Sequence, residues 1–100
     1  MTTLVVRHHV RDYDAWKTVF DEHEDVRRRH GATGHRVYTI GGDRNDVVVA
    51  TDFPSADAAQ AFMADPSLRE AMERAGVEGE PQVMIGEQVE QRSYDPAAVA

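Results

Sequence analysis

The chain has 100 residues, of which 41% are apolar, enough for one domain with a single core and too few for two. Its 11 Lys and Arg residues against 18 Asp and Glu residues give a net charge of −7, which argues against nucleic-acid and anionic-lipid partners, because both require a basic surface. The absence of cysteine excludes disulfides, thiolate metal sites and cysteine nucleophiles.

The charge is unevenly distributed between the two halves of the chain. Residues 1–50 carry eight cations, eight anions and all five histidines, whereas residues 51–100 carry three cations and ten anions. The titratable chemistry is therefore concentrated in the first half. No targeting pattern or membrane-spanning apolar run is visible, so we expect a soluble cytoplasmic protein without a membrane partner.

The first half begins with a predicted strand at residues 4–10 and a predicted helix at residues 13–30. Asp12 is a suitable N-cap for that helix, and Gly31 is a natural stop. Its apolar and aromatic residues recur at helical spacing and predict one broad buried face. Strands follow at 35–40 and 47–53, joined by a hairpin loop at 41–46.

The second half contains a predicted helix that opens at Pro54-Ser55, is interrupted at Asp65-Pro66 and ends at Gly76. Pro81 precedes a last strand, from residue 83 to about residue 90. The resulting order is strand, helix, strand, strand, helix, strand. It predicts an α+β, ferredoxin-like βαββαβ domain over residues 1–90, with two helices on one face of a four-stranded antiparallel sheet. A polar tail spans residues 91–100.

Three strands carry apolar residues on both faces, because Leu4-Val5-Val6, Val47-Val48-Val49 and Val83-Met84-Ile85 do not alternate with polar residues. The helices of one chain cover only one face. We therefore expect a homodimer whose sheets pack face to face. The alternative is a monomer with a valine-rich exposed sheet.

Two separated motifs resemble those of small bacterial proteins in the dimeric α+β barrel superfamily, of the antibiotic-biosynthesis-monooxygenase-like and cyclase-like kind. They read His8-x-Val10-x-Asp12-Tyr13-x-x-Trp16-x-x-x-Phe20-Asp21-Glu22-His23-x-x-x-Arg27-x-x-x-Gly31 and Leu68-Arg69-Glu70-Ala71-Met72-x-Arg74-Ala75-Gly76-Val77-x-Gly79-x-Pro81. The resemblance covers residues 4–90.

This resemblance implies a homodimeric barrel with a ligand cavity between the sheet and helices of each subunit. Members of the superfamily include cofactor-independent monooxygenases that oxidise polycyclic phenols to quinones, polyketide cyclases, lactone isomerases and haem-binding enzymes. The sequence lacks the Asn, Trp and His arrangement of the haem-degrading members. We therefore expect no cofactor.

His8 and His23 are the candidate catalytic residues. His23 follows Trp16 and Phe20 on the inner helix face, and His8 shares one strand face with Val6 and Val10. Each could act as a general acid or base, since a histidine pKa near 6.5 suits proton transfer at neutral pH. A purely structural role in the core is the alternative for both.

The other histidines are weaker candidates. His9 points to the opposite sheet face from His8 and therefore towards the dimer barrel or its rim. His30 ends the helix, where its charge would interact with the dipole, and His35 opens a strand and is expected to be solvated. No metal ligand set is predicted, because these groups lack the i,i+4 spacing of helical zinc motifs.

Aromatic side chains predict a pocket for a flat apolar ligand. The candidate substrate-binding residues are Tyr13, Trp16, Phe20, Arg27 and Tyr38. Arg27 could bind an enolate or phenolate oxygen, although helix-end solvation with pairing to nearby acids is its commoner role. For the aromatic residues the alternative is core packing.

The leading hypothesis is a cofactor-independent enzyme of monooxygenase or cyclase type, with an aromatic or polyketide-like substrate and histidine acid/base chemistry. One alternative is a non-catalytic dimer that binds a small molecule in the same pocket. A histidine metal-binding protein is the other alternative.

Overall fold

The computed structural model describes residues 1–96, which form a four-stranded antiparallel sheet with helices. The elements are β1 (Thr2–Val10), α1 (Tyr13–Glu22), α2 (Glu24–Arg29), β2 (Gly34–Ile40), β3 (Asp43–Phe53), α3 (Ala56–Met63), α4 (Pro66–Arg74) and β4 (Val77–Glu87). The strand order is β2-β3-β1-β4. This is the ferredoxin-like α+β fold that the sequence predicted.

The register of β1 separates the two faces of the sheet. Leu4, Val6 and Val10 are buried beneath the helices, where α3 contributes Phe62 and α1 contributes Trp16. The intervening residues of β1 point to the opposite, uncovered face. The core thus lies on one side of the sheet.

The predicted helix at 13–30 is not continuous, because His23 interrupts it between α1 and α2. At the break the Phe20 carbonyl oxygen accepts hydrogen bonds from the His23 backbone N–H, at 3.2 Å, and from Nη1 of Arg27, at 2.8 Å. An uninterrupted helix would use that carbonyl for the N–H of Glu24. The N-terminal cap is as predicted, since Asp12 accepts from the backbone N–H of Ala15.

The starts of β3 and β4 differ most from those predicted. β3 begins at Asp43, because Gly41 and Gly42, with φ of 60° and 78°, make a two-residue turn of the kind that suits a twisted hairpin. β4 begins at Val77 and contains Pro81. The register between β1 and β4 shifts next to this proline. Arg7 pairs with Gln82 and His9 pairs with Glu78, so β4 has two extra residues between these pairs. Proline is tolerated there because β4 is an edge strand.

The uncovered sheet face exposes apolar side chains, as the sequence led us to expect. Met84 of β4 is 65% exposed and lies opposite Val5 of β1. Val83 and Ile85, on the helix side of the same edge strand, are also exposed.

Residues 91–95 of the tail are outside helices and strands, and residues 97–100 lie outside the described residues. Within residues 1–96 no helix is both long and apolar enough to cross a membrane.

Candidate active site

A cavity of about 70 Å³ lies between the sheet and helices α1, α3 and α4. Most of its wall is apolar, and the basic side chains that line it are His8, His23 and Arg27. The structure therefore brings both predicted catalytic histidines and the predicted oxyanion-binding arginine to one space.

His8 is a polar side chain of this wall that lacks hydrogen bonds to the rest of residues 1–96. It is 8% exposed, and neither Nδ1 nor Nε2 has a hydrogen-bond partner among those residues. Its ring centroid lies 5.6 Å from that of Trp16. Burial lowers the pKa of His8, so its imidazole is neutral at neutral pH, with one nitrogen able to donate a proton and the other able to accept one. Buried polar atoms without partners are rare in folded proteins, and they often mark functional sites.

His23 reaches the cavity from the break between α1 and α2, and it is equally buried. Its Nε2 lies 3.0 Å from the hydroxyl oxygen of Ser67 at the start of α4. Burial lowers the pKa of His23, and the positive charge of Arg27 adds to the effect. Unlike His8, this histidine is positioned by a hydrogen bond.

Arg27 is 3% exposed, contrary to the expectation that it would be solvated or paired with acids at the helix end. Its guanidinium carbon lies 3.8 Å from the centroid of the Phe20 ring, and Nη1 donates to the Phe20 carbonyl. Nη2 is buried, and no described residue accepts a hydrogen bond from it. Burial lowers the pKa of Arg27, but an arginine keeps its charge at any physiological pH. The site thus holds a permanent cation.

The aromatic residues of α1 form a row that leads to this cation. Ring centroids are 5.7 Å apart for Tyr13 and Trp16 and 4.9 Å apart for the stacked pair Trp16 and Phe20. Trp16 and Phe20 line the cavity. Tyr13 does not line it and lies at the end of the row, under the guanidinium of Arg44 at 4.9 Å.

Tyr38 does not reach the cavity, so its assignment to that pocket is wrong. It pairs with Val48 on the uncovered face of the sheet and is 51% exposed. The side chains of Val37 and Tyr38 point to opposite faces, and Val37 takes the inner one.

The remaining histidines also lie outside the cavity. His9 is on the opposite face from His8, where its Nδ1 lies 2.9 Å from Glu78. His30 contacts Asp65 at 2.8 Å. His35 packs edge-on against Phe20, with ring centroids 5.0 Å apart. Within residues 1–96 no three His, Asp or Glu side chains are grouped so as to hold a metal ion.

A second depression, of about 270 Å³, adjoins the cavity at Arg27 and Thr51, which line both spaces. The rest of its wall comes from α2 and the start of β2, and includes Arg28, Thr33 and His35. No sequence pattern predicted this space. An arginine at a helix end is usually solvated, so its burial could not be anticipated.

Several solved structures have the same architecture as this chain. A mutant form of SnoaB, a cofactor-independent oxygenase from Streptomyces nogalater, superposes with a TM-score of 0.73 at 18% sequence identity, over 90% of this chain and 94% of that one. A Bordetella bronchiseptica protein assigned to the antibiotic biosynthesis monooxygenases gives a TM-score of 0.75 at 13% identity, over 88% and 96% of the two chains. A Nitrosomonas europaea protein with the same assignment gives 0.71 at 15%, over 90% and 100%.

The chain has the fold of these proteins. The resemblance seen in the two sequence motifs is therefore confirmed at the level of the fold. Neither a family model nor a curated protein sequence matches the chain. Because one fold serves many reactions, the activity has to be argued from the side chains of the cavity.

Proposed function

We propose that the protein is a homodimeric, cofactor-independent enzyme that binds an aromatic or polyketide-like molecule and removes a proton from it. The observation that carries this proposal is His8, a buried imidazole whose two nitrogens have no partner inside a largely apolar cavity. A ligand hydroxyl or an acidic C–H group would supply the missing partner. The fold shared with a cofactor-independent oxygenase supports the same class of chemistry.

His8 is the general base in this proposal. The neutral imidazole takes the proton of a phenol or enol, which leaves an oxyanion next to an imidazolium. The cation of Arg27 then stabilises the negative charge electrostatically. In the oxygenase reaction one phenol and one O2 give one quinone and one water, so no external reductant is needed. In the cyclase reaction His8 removes the proton of an acidic C–H group instead. The resulting carbanion attacks a carbonyl group of the same molecule.

Trp16 and Phe20 hold the flat part of the substrate by stacking, because both rings line the cavity next to His8 or Arg27. Tyr13 extends the row beyond Trp16 and is placed to contact a longer ligand at the rim. The imidazolium of His8 returns the proton when water or the cyclised product forms, and His23 is the second candidate acid/base group.

The size of the cavity restricts how a substrate can bind. A space of about 70 Å³ holds a few water molecules, whereas sites for drug-sized ligands occupy roughly 300–1,000 Å³. A substrate larger than this cavity must therefore also occupy the adjoining depression, which shares Arg27 and Thr51 with it. Joined, the two spaces fall at the lower end of that range.

The dimer accounts for the uncovered face of the sheet. This face includes Val5, Tyr38 and the exposed Met84, and a second copy packed against it would remove these side chains from water. A dimer formed in this way leaves the helix-side cavity of each subunit intact.

The decisive experiment compares His8→Ala with His9→Ala, two adjacent histidines on opposite faces of β1. Both variants and the parent protein are incubated with a panel of polycyclic phenols, and oxygen uptake and product absorbance are recorded. We expect His8→Ala to lose at least about 100-fold in turnover, the usual contribution of a general base, and His9→Ala to retain it. Equal activity in all three proteins would overturn the role of His8.

A second candidate is a non-catalytic protein that binds the same ligands. The hydrogen bond from His23 to Ser67 favours it, because a histidine held in this way is also suited to a structural role. In that case polycyclic phenols bind, binding weakens in His8→Ala, and no turnover is seen in any of the three proteins.

A further inference from the structure

Arg27 is a buried cation that takes part in none of the ion pairs found among residues 1–96. Glu24 and Asp21 attract its charge from beyond ion-pair distance, and its Nη2 has no hydrogen-bond partner among those residues. The guanidinium donates from Nη1 to the Phe20 carbonyl and lies over the Phe20 ring. Removing a charge from water without pairing it is costly, so buried charges in proteins are normally paired.

The surroundings of Arg27 are arranged for an anion from outside the chain. The depression beyond the guanidinium also contains Arg28 and His35, and the hydroxyl-bearing Thr33 and Thr51. Glu24 is the acidic residue in its wall, and it does not pair with Arg27. The hydroxyls can donate to a second oxygen of an anion that Nη2 binds.

We infer that this depression is a subsite for the carboxylate of an aromatic acid, with Arg27 as the anion-binding residue and the apolar rings of the acid in the inner cavity. This subsite extends the proposed function, because it requires a substrate with a permanent negative charge in addition to any oxyanion formed during the reaction. It rests on the proposed function only in requiring that the cavity take an aromatic ligand.

A monoanionic carboxylate fits better than a phosphate. One of the five N–H donors of the guanidinium, on Nη1, is already used by the Phe20 carbonyl. Tight phosphate binding requires several charge-assisted donors, and the carboxylate of Glu24 in the same wall repels a dianion. Thr51 and Arg27 border both spaces, so a carboxylate held there places the attached ring at the mouth of the cavity.

The test is calorimetric titration of the protein with naphthoate, with the neutral naphthamide of the same shape, and with inorganic phosphate. We expect naphthoate to bind about 10- to 100-fold more tightly than naphthamide, the usual value of a hydrogen bond to a charged group. Phosphate should not compete with naphthoate at equal concentration. Equal affinity for the acid and the amide, effective competition by phosphate, or binding of neither naphthalene would each overturn the inference.

Arg27→Met and Arg28→Met provide the matched comparison, since both arginines line the depression but only Arg27 is buried. We expect Arg27→Met to abolish the preference for naphthoate over naphthamide, while Arg28→Met keeps the preference. A preference that persists in Arg27→Met would contradict the assignment. The comparison of acid with amide in the parent protein does not depend on either variant folding.

A further variant separates this inference from the proposed function. His8→Ala should keep the carboxylate preference, because Arg27 is intact. If the preference is present while no phenol is turned over by the parent protein, the subsite is supported and the enzymatic proposal is wrong. If phenols are turned over while acid and amide bind equally, the enzymatic proposal is supported and the carboxylate subsite is wrong.

Discussion

The Nε2 atom of His23 lies 3.0 Å from the hydroxyl oxygen of Ser67, across the gap between the break of the first helix and the start of α4. Both the hydroxyl and the backbone N–H of Ser67 help to hold the pKa of Asp65 well below its usual range, together with the larger effect of His30. A carboxylate only accepts hydrogen bonds, so we expect the Ser67 hydroxyl proton to point towards Asp65. His23 would then donate from Nε2, which leaves Nδ1 as the nitrogen able to accept a proton.

The first prediction concerns this tautomer. Ser67→Ala removes the acceptor for Nε2, so the neutral His23 ring should populate both tautomers, whereas Ser67→Thr should restore the Nε2–H form. The loss of one hydrogen bond should lower the free energy of unfolding by about 1 kcal/mol. Nitrogen NMR of the histidine rings reports the tautomer directly. A single, unchanged tautomer in Ser67→Ala would contradict the arrangement.

A second prediction concerns the effect of His8 on the free energy of unfolding. His8→Leu replaces two buried, unpartnered nitrogens with methyl groups and should raise the free energy of unfolding by about 1 kcal/mol or more. The same variant should lose ligand binding or turnover, as expected where function is maintained at the expense of stability. Urea unfolding at neutral pH measures the change. A clear loss of stability would instead identify His8 as a structural residue.

The third prediction concerns the pH dependence of stability, where the adjacent histidines act in opposite directions. Burial lowers the pKa of His8 below the value of about 6.5 expected for the unfolded chain. The unfolded state therefore binds more protons, and stability falls as the pH drops below about 6.5. Glu78 raises the pKa of His9, so its contribution is present below about 6.5 and is lost as the pH rises through its folded value.

The measurement is urea unfolding at several pH values between about 8 and 5, across the range where histidines titrate. We expect His8→Leu to reduce the loss of stability on acidification and His9→Ala to increase it. The parent protein provides the reference curve. Parallel curves for all three proteins would show that neither histidine changes its pKa on folding.

The fourth prediction tests the dimer. Met84→Glu places a charge on the uncovered sheet face next to Val5, and it should convert dimer to monomer without unfolding the chain, because Met84 is exposed in the single subunit. Gln60→Glu adds the same charge on the exposed surface of α3 and should leave the dimer unchanged. Sedimentation distinguishes the chain mass of 11.2 kDa from twice that value. A monomeric parent protein would make the dimer proposal wrong.

Hydrophobic spacing predicted the element order and the inner position of His8, because strand and helix periods are properties of the local sequence. It did not predict the break at His23, since the inner-face spacing of Phe20, His23 and Arg27 continues through it. The break depends on Arg27 donating to the Phe20 carbonyl, and the burial of that arginine depends on elements distant in sequence. Tyr38 was assigned to the wrong face because Val37 beside it is also apolar, so alternation does not decide between them.

Trp16 is the only tryptophan in the sequence, and it lies in the cavity wall with its ring 5.6 Å from that of His8 and stacked on Phe20. Indole fluorescence therefore comes from a single position, within van der Waals distance of any ligand in the cavity. The fluorescence of Trp16 should therefore change both when a ligand enters the cavity and when the neighbouring imidazole of His8 changes its charge. Unlabelled protein is thus sufficient to screen a compound library and to record occupancy in real time.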